Sequence, residues 1–277
     1  MSRVHHTDGF RFEGSLAVIG GGKMGEAIVG GLIASGVIEA ARITVVEPSA
    51  DRRADLATRF TFVTVGDGAD ALPADVVILA VKPQVIDSVA SALSDQLAST
   101  LVISIAAGVS SARLEALLPD SSAVVRVMPN TPALVGEGMS VVSGGSNPTA
   151  EQVDLVRALF AALGEAIVLD ERYQDAATAI SGSGPAYFAL VIDALSRAGV
   201  RHGLPRDVAQ ALAVQTMRGT AELLDSTGTS PSDLMDGVSS PGGTTIAALE
   251  VLEARAVRAA VADAVSANVA RAKELGL

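Results

Sequence analysis

The chain contains no cysteine among its 277 residues. This absence excludes disulfide bonds, thiolate catalysis and cysteine-ligated zinc or iron–sulfur centres, and we predict no metal site. Cations are also scarce, since the formal net charge is -11 and only three residues are lysine. A surface of this sign repels the phosphates of nucleic acids and of anionic membranes. We therefore predict neither a nucleic-acid nor a membrane partner.

Long apolar runs are missing as well. No uncharged run reaches the roughly 18 to 20 apolar residues that a membrane helix needs, and the longest runs contain serine, threonine and glycine. Residues 1–14 include His5, Asp8 and Glu13 and lack the apolar centre of a signal peptide. We expect these residues to form a mobile tail and the protein to be cytoplasmic.

A glycine motif follows the first apolar run, residues 16–20. It reads G-x-G-x-x-G over 20–25 and includes Lys23 and Met24. Gly20 suits the tight turn, Gly22 lets the backbone approach a pyrophosphate, and Gly25 lets the next helix pack close to the strand. The motif predicts a dinucleotide site.

The segments after this motif complete the pattern of such a site. A helical segment, 26–34, precedes a second strand, 43–46, which ends in Glu47. An acid at that place hydrogen-bonds the ribose hydroxyls of a dinucleotide. Strand, glycines, helix, strand and acid in this order make nucleotide binding the favoured interpretation.

Strands and helices alternate from residue 15 to residue 170. Further strands are predicted at 62–65, 76–80, 101–105, 124–128, 139–142 and 166–169, and helices at 51–59, 85–97, 111–117 and 150–163. Such alternation gives a doubly wound, mostly parallel Rossmann-type sheet covered by helices. The length of the chain agrees with two domains rather than one.

Residues 171–277 lack strand signals and form the predicted second domain. Alanine-rich and leucine-rich segments at 185–198, 205–224 and 256–275 predict an all-helical domain punctuated by Gly199 and other glycines. The segment 186–195 is apolar nearly all round, which a lone surface helix would not be. We therefore expect a helical homodimer, and the fold class is α/β with a C-terminal helical dimerisation domain.

Ligands of a doubly wound sheet bind beyond the carboxyl ends of its strands. The residues at three of these ends are Val81 and Lys82, then Ala107, then Asn130. Lys82 suits a phosphate or ribose contact, and Asn130 could offer its amide to the nicotinamide. The alternatives, a surface lysine and a turn asparagine, stay open.

Two glycine-rich motifs mark the helical domain. Residues 239–245 place Pro241 and paired glycines before a helix, so that backbone N–H groups at a helix start could hold a small carboxylate. The alternative is a capped turn. Residues 181–187 offer a second patch of N–H groups and hydroxyls, or else a simple helix break.

Five motifs together resemble those of the pyrroline-5-carboxylate reductases. They are the glycine motif at 20–25, Ala-Val-Lys-Pro at 80–83, Met-Pro-Asn-Thr-Pro at 128–132, Ser-Gly-Ser-Gly-Pro-Ala-Tyr at 181–187 and Val-Ser-Ser-Pro-Gly-Gly-Thr-Thr at 238–245. The resemblance extends over 16–275. It implies the reduction of 1-pyrroline-5-carboxylate to proline by NADPH or NADH, which is the last step of proline synthesis. It also implies a homodimer and often a ring of dimers, such as a decamer.

The resemblance implies a role for individual residues. The substrate, an imine carboxylate, would be bound by the segment that includes Ser240, Gly242, Gly243, Thr244 and Thr245, with Glu171 near it. Thr245 is our candidate for a hydrogen bond to the ring nitrogen. Its alternative role is a helix cap.

The second strand departs from the family pattern. Many relatives carry a small or basic residue where this chain has Glu47, which Ser49 follows. A carboxylate there repels a 2′-phosphate, although Arg52 and Arg53 one turn later could compensate. Asp67 adds a further negative charge on the adenine side. The sequence therefore leaves the choice between NADPH and NADH open.

The chemistry needs no strong protein acid, because an iminium can take its proton from solvent before it binds. The protein then has to hold the carboxylate and orient the imine carbon. Two alternatives remain. A 3-hydroxyacid dehydrogenase would need a lysine or histidine at the start of the second domain, where this chain has none before His202. A non-enzymatic nucleotide-binding module would not need the 239–245 segment.

Overall fold

The computed structural model describes residues 9–68 and 72–275. Most of the predicted tail, 1–8, lies outside the described residues. The strands, in chain order, are β1 Leu16–Ile19, β2 Ile43–Val46, β3 Thr64–Gly66, β4 Val76–Leu79, β5 Leu101–Ser104, β6 Ala123–Met128, β7 Gly138–Gly144 and β8 Gly164–Val168. They form one sheet in the order β3-β2-β1-β4-β5-β6-β7-β8.

The sheet is mostly parallel, as the sequence predicts. Every neighbouring pair runs parallel except β6 and β7, which are antiparallel. The chain leaves β1 toward β2 on one side and returns to pair β4 with β1 on the other. This reversal creates a crevice beyond the carboxyl ends of β1 and β4, where doubly wound sheets bind ligands.

Eleven α-helices occur in the part of the chain that the structure describes. They are α1 Lys23–Ala34, α2 Ala50–Arg59, α3 Ile86–Leu93, α4 Ser111–Glu115, α5 Ala150–Ala161, α6 Gln174–Ala177, α7 Gly184–Arg201, α8 Arg206–Thr227, α9 Pro231–Gly237, α10 Thr244–Ala254 and α11 Val257–Leu275. Short 3₁₀ turns connect several of them.

Apolar residues cover both faces of the sheet because successive side chains of a strand point to opposite sides. Val18 and Ile78 pack on one face with Leu32 of α1 and Phe160 of α5. Ala17, Val77 and Leu79 pack on the other face with Ile86 of α3 and Leu114 of α4. The result is a helix–sheet–helix sandwich, which explains why these strands read as continuous apolar runs.

Three differences between the predicted and the observed elements concern β3, α9 and α7. The prediction for β3, 62–65, is wrong by up to two residues, because Phe62 is exposed and precedes this short edge strand. The sequence also missed α9, which Ser230 caps. The expected break at Gly199 is wrong, since α7 continues to Arg201.

Gly199 has a packing role instead. A Cβ there would lie 3.0 Å from the Cβ of Ala209 in α8. The missing side chain therefore lets α7 and α8 approach closely. Glycine in this helix indicates close contact between helices rather than a helix end.

A helix begins within residues 181–187, as the sequence predicts, because α7 starts at Gly184. The predicted role of this segment as a patch of N–H groups and hydroxyls stays a prediction. A π-helical turn, Thr178–Gly182, follows α6 directly, and Ser183 donates its N–H to the carbonyl of Thr178 at 3.0 Å. Pro185 has no N–H for the carbonyl four residues earlier, which favours such an irregular turn.

The chain divides into two compact units. One contains residues 1–183 and 268–277, and the other contains Gly184–Ala267. The sheet ends at Val168, close to the predicted domain boundary between residues 170 and 171, whereas the first compact unit continues to Ser183. The predicted boundary stays a prediction.

Candidate functional site

The glycine motif forms the turn between β1 and α1, as the sequence predicts. Gly20 has φ +112°, a conformation that disfavours any residue with a side chain. A Cβ on Gly20 would lie 2.7 Å from the carbonyl oxygen of Ala80, and a Cβ on Gly25 would lie 2.1 Å from the carbonyl oxygen of Gly20. Both glycines are therefore required for close packing.

Gly22 is different, because it borders open space. Apart from Gly22 itself and its two chain neighbours, no described residue has an atom within 4 Å of the position that a Cβ of Gly22 would take. Gly22 is the N-cap of α1, no described side chain caps this helix, and Lys23 and Met24 are its first two residues. Their N–H groups have no partner within the helix. The bare backbone and the positive end of the helix dipole fit the pyrophosphate of a dinucleotide.

Glu47 lies beside this turn at the carboxyl end of β2. Its carboxylate accepts the N–H of Gly21 at 3.0 Å and the N–H of Ser49 at 3.0 Å. The side chain of Ser49 caps α2 by accepting the N–H of Arg52 at 3.4 Å. The protein thus holds the Glu47 carboxylate in a defined position between the glycine turn and α2.

The two arginines that could offset this charge are already engaged. Arg52 donates its Nε–H to the carbonyl of Gly21 at 2.7 Å and its terminal N–H groups to Glu26 and Asp55. The hydrogen bond with Glu26 is the main reason why the pKa of Arg52 is raised above its ordinary value.

Arg53 is held in a similar way. It donates to the carbonyls of Glu47 at 2.9 Å and Pro48 at 2.8 Å. Its other terminal nitrogen lies 3.3 Å from the carboxylate of Asp67. Arg53 therefore cross-links the ends of β2 and β3.

An apolar cavity of about 470 Å³ lies beyond the carboxyl ends of β1 and β4. It is lined by Ile19, Gly20, Val46, Pro48, Asp67, Gly68, Leu72, Val81, Val85, Ser88, Val89, Ala92 and Leu93. The apolar lining suits an adenine ring. Sequence reasoning found Gly20, Asp67 and Val81 but missed the α3 residues, although the alternation of apolar residues after residue 85 could have indicated them.

Two further predicted cofactor residues lie along the same edge of the sheet. Lys82 is exposed and precedes a 3₁₀ turn, Pro83–Val85. Ala107 is exposed and follows β5. Their predicted cofactor contacts stay predictions.

Asn130 has structural partners for both ends of its amide. Its Nδ2 donates to the carbonyl of Ser181 at 3.0 Å, and its Oδ1 accepts the N–H of Met139 at 2.8 Å. The side chain is buried. These contacts favour a role in tying the loop after β6 to β7 and to the π-helical turn, and the predicted nicotinamide contact remains untested.

Glu171 also has protein partners. Its carboxylate accepts the N–H of Ser111 at 2.8 Å and the hydroxyl of Ser111. The buried side chain of Arg126 lies 3.3 Å from it. The carboxylate therefore neutralises a buried guanidinium next to the first turn of α4, and its predicted place near the substrate stays a prediction.

The substrate segment predicted from the sequence lies in the second unit, at the start of α10. Gly242 has φ +65°, and the Gly243 N–H donates to the carbonyl of Ser240 at 2.9 Å. Gly243 is the N-cap, and no described side chain caps the helix. Thr244 and Thr245 are its first two residues, so Thr245 is not a cap. The N–H groups of Thr244 and Thr245, which have no partner within the helix, stay available to an anion.

The second unit exposes much apolar surface. Residues of α7, α8, α10 and α11 with large exposed apolar side chains include Phe188, Leu190, Val191, Leu195, Val208, Leu212, Val214, Leu223, Val251, Leu252 and Val261. A monomer seldom exposes so many together, and such surfaces mark interfaces. In the described residues, no helix is long and apolar enough to cross a membrane.

Comparisons with known proteins agree with a dinucleotide-binding N-terminal part and a dimerising C-terminal part. Residues 171–275 match the family model described as pyrroline-5-carboxylate reductase dimerisation, and residues 15–108 match the model described as NADP oxidoreductase, coenzyme F420-dependent. A pyrroline-5-carboxylate reductase of Synechocystis sp. is 45% identical over 262 residues, which cover 94% of this chain and 98% of that protein.

Two solved structures are similar over nearly the whole chain. A pyrroline-5-carboxylate reductase from Coxiella burnetii has a TM-score of 0.89 and 38% identity, and the match covers 96% of this chain and 100% of that one. A pyrroline carboxylate reductase from Plasmodium falciparum, solved with NADP bound, has a TM-score of 0.86 and 32% identity over 96% of this chain and 100% of that chain.

Proposed function

Because the chain belongs to the pyrroline-5-carboxylate reductase family, we propose that it reduces 1-pyrroline-5-carboxylate to L-proline, the last step of proline biosynthesis. It is an oxidoreductase that acts on a CH–NH group with NADPH or NADH. The observation that carries the proposal is the start of α10, where a glycine with positive φ precedes an uncapped first turn. This turn is suited to a small carboxylate, which the substrate carries.

The chain's residues have distinct tasks in this reaction. The bound reduced nicotinamide would supply the hydride. The turn formed by Gly20, Gly22 and Gly25 would hold the pyrophosphate at the start of α1. The N–H groups of Thr244 and Thr245 would hold the substrate carboxylate. Orientation of the imine carbon is then the main contribution of the protein.

Thr245 would place its hydroxyl toward the ring nitrogen. A hydroxyl can both donate and accept, so it suits the nitrogen before and after reduction. The structural support is that Thr245 is the second residue of α10 and caps nothing. The nitrogen can take its proton from solvent before binding, so no acidic side chain is required.

Two alternatives receive less support. A 3-hydroxyacid dehydrogenase needs a lysine or histidine at the start of the second domain, and α7 reaches Arg201 with neither residue in it. A non-enzymatic nucleotide-binding module gives no reason for the uncapped α10 start. The family to which the chain belongs consists of enzymes, which also disfavours a binding module.

The active form is proposed to be a cytoplasmic homodimer through the helical unit, with a ring of dimers such as a decamer as a further stage. The support is the exposed apolar surface of α7, α8, α10 and α11 and the match of 171–275 to a dimerisation model. Leu190→Arg, at a side chain that is 69% exposed, should shift the sedimenting species toward monomer. Gln96→Arg in the first unit, a matched change of charge, should leave the assembly intact.

Turnover tests the activity directly. Purified protein should oxidise NADH or NADPH only when 1-pyrroline-5-carboxylate is present, with proline as the product. A 3-hydroxyacid with the oxidised cofactor should give no signal. Turnover of the hydroxyacid alone would favour the dehydrogenase, and cofactor binding without turnover of either compound would favour the binding module.

A further inference from the structure

We infer that this chain prefers NADH to NADPH, and that the Glu47 carboxylate, held by the glycine turn, is the residue that sets this preference. The inference rests on the proposed function, which leaves the cofactor open. It depends on four groups at the ribose end of the site, which are Glu47, Asp67, Arg52 and Arg53.

Hydrogen bonds to the backbone hold the Glu47 side chain in one position. Both carboxylate oxygens accept backbone N–H groups, one from Gly21 and one from Ser49, each at 3.0 Å. The Gly21 contact ties the charge to the turn that would hold the pyrophosphate. Carboxylate oxygens have further lone pairs, so Glu47 can still accept the two ribose hydroxyls of NADH.

A 2′-phosphate replaces one of these donors by about two negative charges at neutral pH. It can donate no hydrogen bond to Glu47 when it is fully ionised. To approach, it would either meet the carboxylate directly or displace it from Gly21. Either event raises the free energy of the NADPH complex and leaves that of the NADH complex unchanged.

Arg52 is not available to offset this repulsion. It belongs to a cluster of two carboxylates, Glu26 and Asp55, and two guanidinium groups, Arg52 and Arg59. The charges of this cluster cancel. Arg52 also donates to the carbonyl of Gly21, so turning it toward a phosphate would break the contacts that support the glycine turn.

Arg53 is not available either. Two of its hydrogen bonds go to the carbonyls of Glu47 and Pro48, and its remaining terminal nitrogen faces Asp67. Glu47, Asp67 and Arg53 together leave one net negative charge at the ribose end. Lys23 follows β1 and Lys82 follows β4, whereas the ribose end of the site follows β2. We therefore expect Lys23 beside the pyrophosphate and Lys82 beyond the end of β4, and neither beside the 2′ position.

Direct binding of the two cofactors without substrate tests the inference. Calorimetry suits this chain, because it has no tryptophan to report binding by fluorescence. We expect NADH to bind at least about tenfold more tightly than NADPH at low salt. The ratio should shrink as salt rises, because the Debye length falls to about 8 Å at physiological ionic strength.

Three variants locate the source of the preference. Glu47→Ser should reduce the NADPH-to-NADH ratio of dissociation constants by about tenfold. This ratio should change even if loss of the Gly21 contact weakens the binding of both cofactors equally. Asp67→Asn should shift the ratio in the same direction by about threefold, since this carboxylate is more exposed and already paired. Glu165→Gln removes the same charge from β8, at the opposite end of the sheet, and should leave the ratio unchanged.

Nucleotide fragments give a second readout that does not depend on the variants. Neither 5′-AMP nor adenosine 2′,5′-bisphosphate carries a nicotinamide, and the two differ only in the 2′-phosphate. The wild-type chain should bind 5′-AMP more tightly than the bisphosphate. Equal or tighter binding of NADPH by the wild-type chain would overturn the inference and leave the proposed reductase activity standing. Failure to bind either dinucleotide would overturn both.

Discussion

Gly25 packs on Gly20 so closely that a Cβ at residue 25 would lie 2.1 Å from the Gly20 carbonyl oxygen. The glycine motif therefore contains two kinds of glycine. Gly20 and Gly25 permit the packing of the turn, whereas Gly22 borders open space that suits a ligand. These two roles can be separated by substitution.

Gly25→Ala should destabilise the first unit by more than about 2 kcal/mol, because the backbone carbonyl it meets cannot rotate away as a side chain would. Gly22→Ala should fold normally, because residue 22 has φ -66° and ψ -175°, which alanine adopts readily. It should instead weaken dinucleotide binding by filling the space before α1. Denaturant unfolding and calorimetric titration measure the two effects, and equal stability of the two variants would contradict this division.

Thr245→Ala should lower kcat/KM for the imine by roughly tenfold, the cost of about 1 to 2 kcal/mol for one lost substrate hydrogen bond. The dissociation constant of the cofactor should stay nearly the same. Thr245→Ser retains the hydroxyl and should recover most of the activity. Since Gly243 and not Thr245 is the N-cap of α10, stability should change little, and unchanged kinetics would remove Thr245 from the substrate site.

Asn130→Asp tests whether this residue contacts the nicotinamide or supports the loop. Aspartate can still accept the Met139 N–H but cannot donate to the Ser181 carbonyl, which is left facing a carboxylate. We expect a loss of about 1 to 3 kcal/mol in the free energy of unfolding, with little change in cofactor affinity. Weaker cofactor binding at normal stability would restore the predicted nicotinamide contact.

Asp75 should make stability depend on pH. It accepts the N–H and the hydroxyl of Ser15 at 2.7 and 2.8 Å, and these hydrogen bonds hold the pKa of its carboxyl below the ordinary value. A depressed pKa in the folded state means that the unfolded state binds the proton more readily. The stabilisation is therefore complete above the unfolded pKa and is lost as pH falls through the folded one.

Asp75→Asn should accordingly lower Tm at neutral pH, and its difference from the wild type should close in strong acid. Glu165→Gln serves as the control, because Glu165 is an exposed residue of β8 away from the start of β1. Thermal unfolding at a series of pH values measures the difference. A Tm gap that stays constant down to strong acid would show that the Ser15 contact does not depend on the charge.

The sequence predicted most of the fold because the signals were local. Short segments of the chain are enough to recognise the apolar runs of β1, β2, β4 and β5 and the glycine motif between β1 and α1. The predicted class, a mostly parallel Rossmann-type sheet with a helical domain, is confirmed. Errors arose where packing overrides local preference. Gly199 reads as a break but provides a close contact between α7 and α8.

The amino-acid sequence by itself determined which residue types follow each strand, since the order of strands and the glycine spacing place them at one edge of the sheet. Only the tertiary structure decided which of these side chains already have hydrogen-bond partners within the protein. Arg52 is engaged by Glu26, Asn130 by Ser181, and Glu171 by Ser111, partners that lie 26, 51 and 60 residues away along the chain. A hydrogen bond depends on the distance and direction between two groups in space, and the separation of residues along the chain gives neither quantity. A polar side chain that looks available in the sequence can therefore already have its partners in the folded protein.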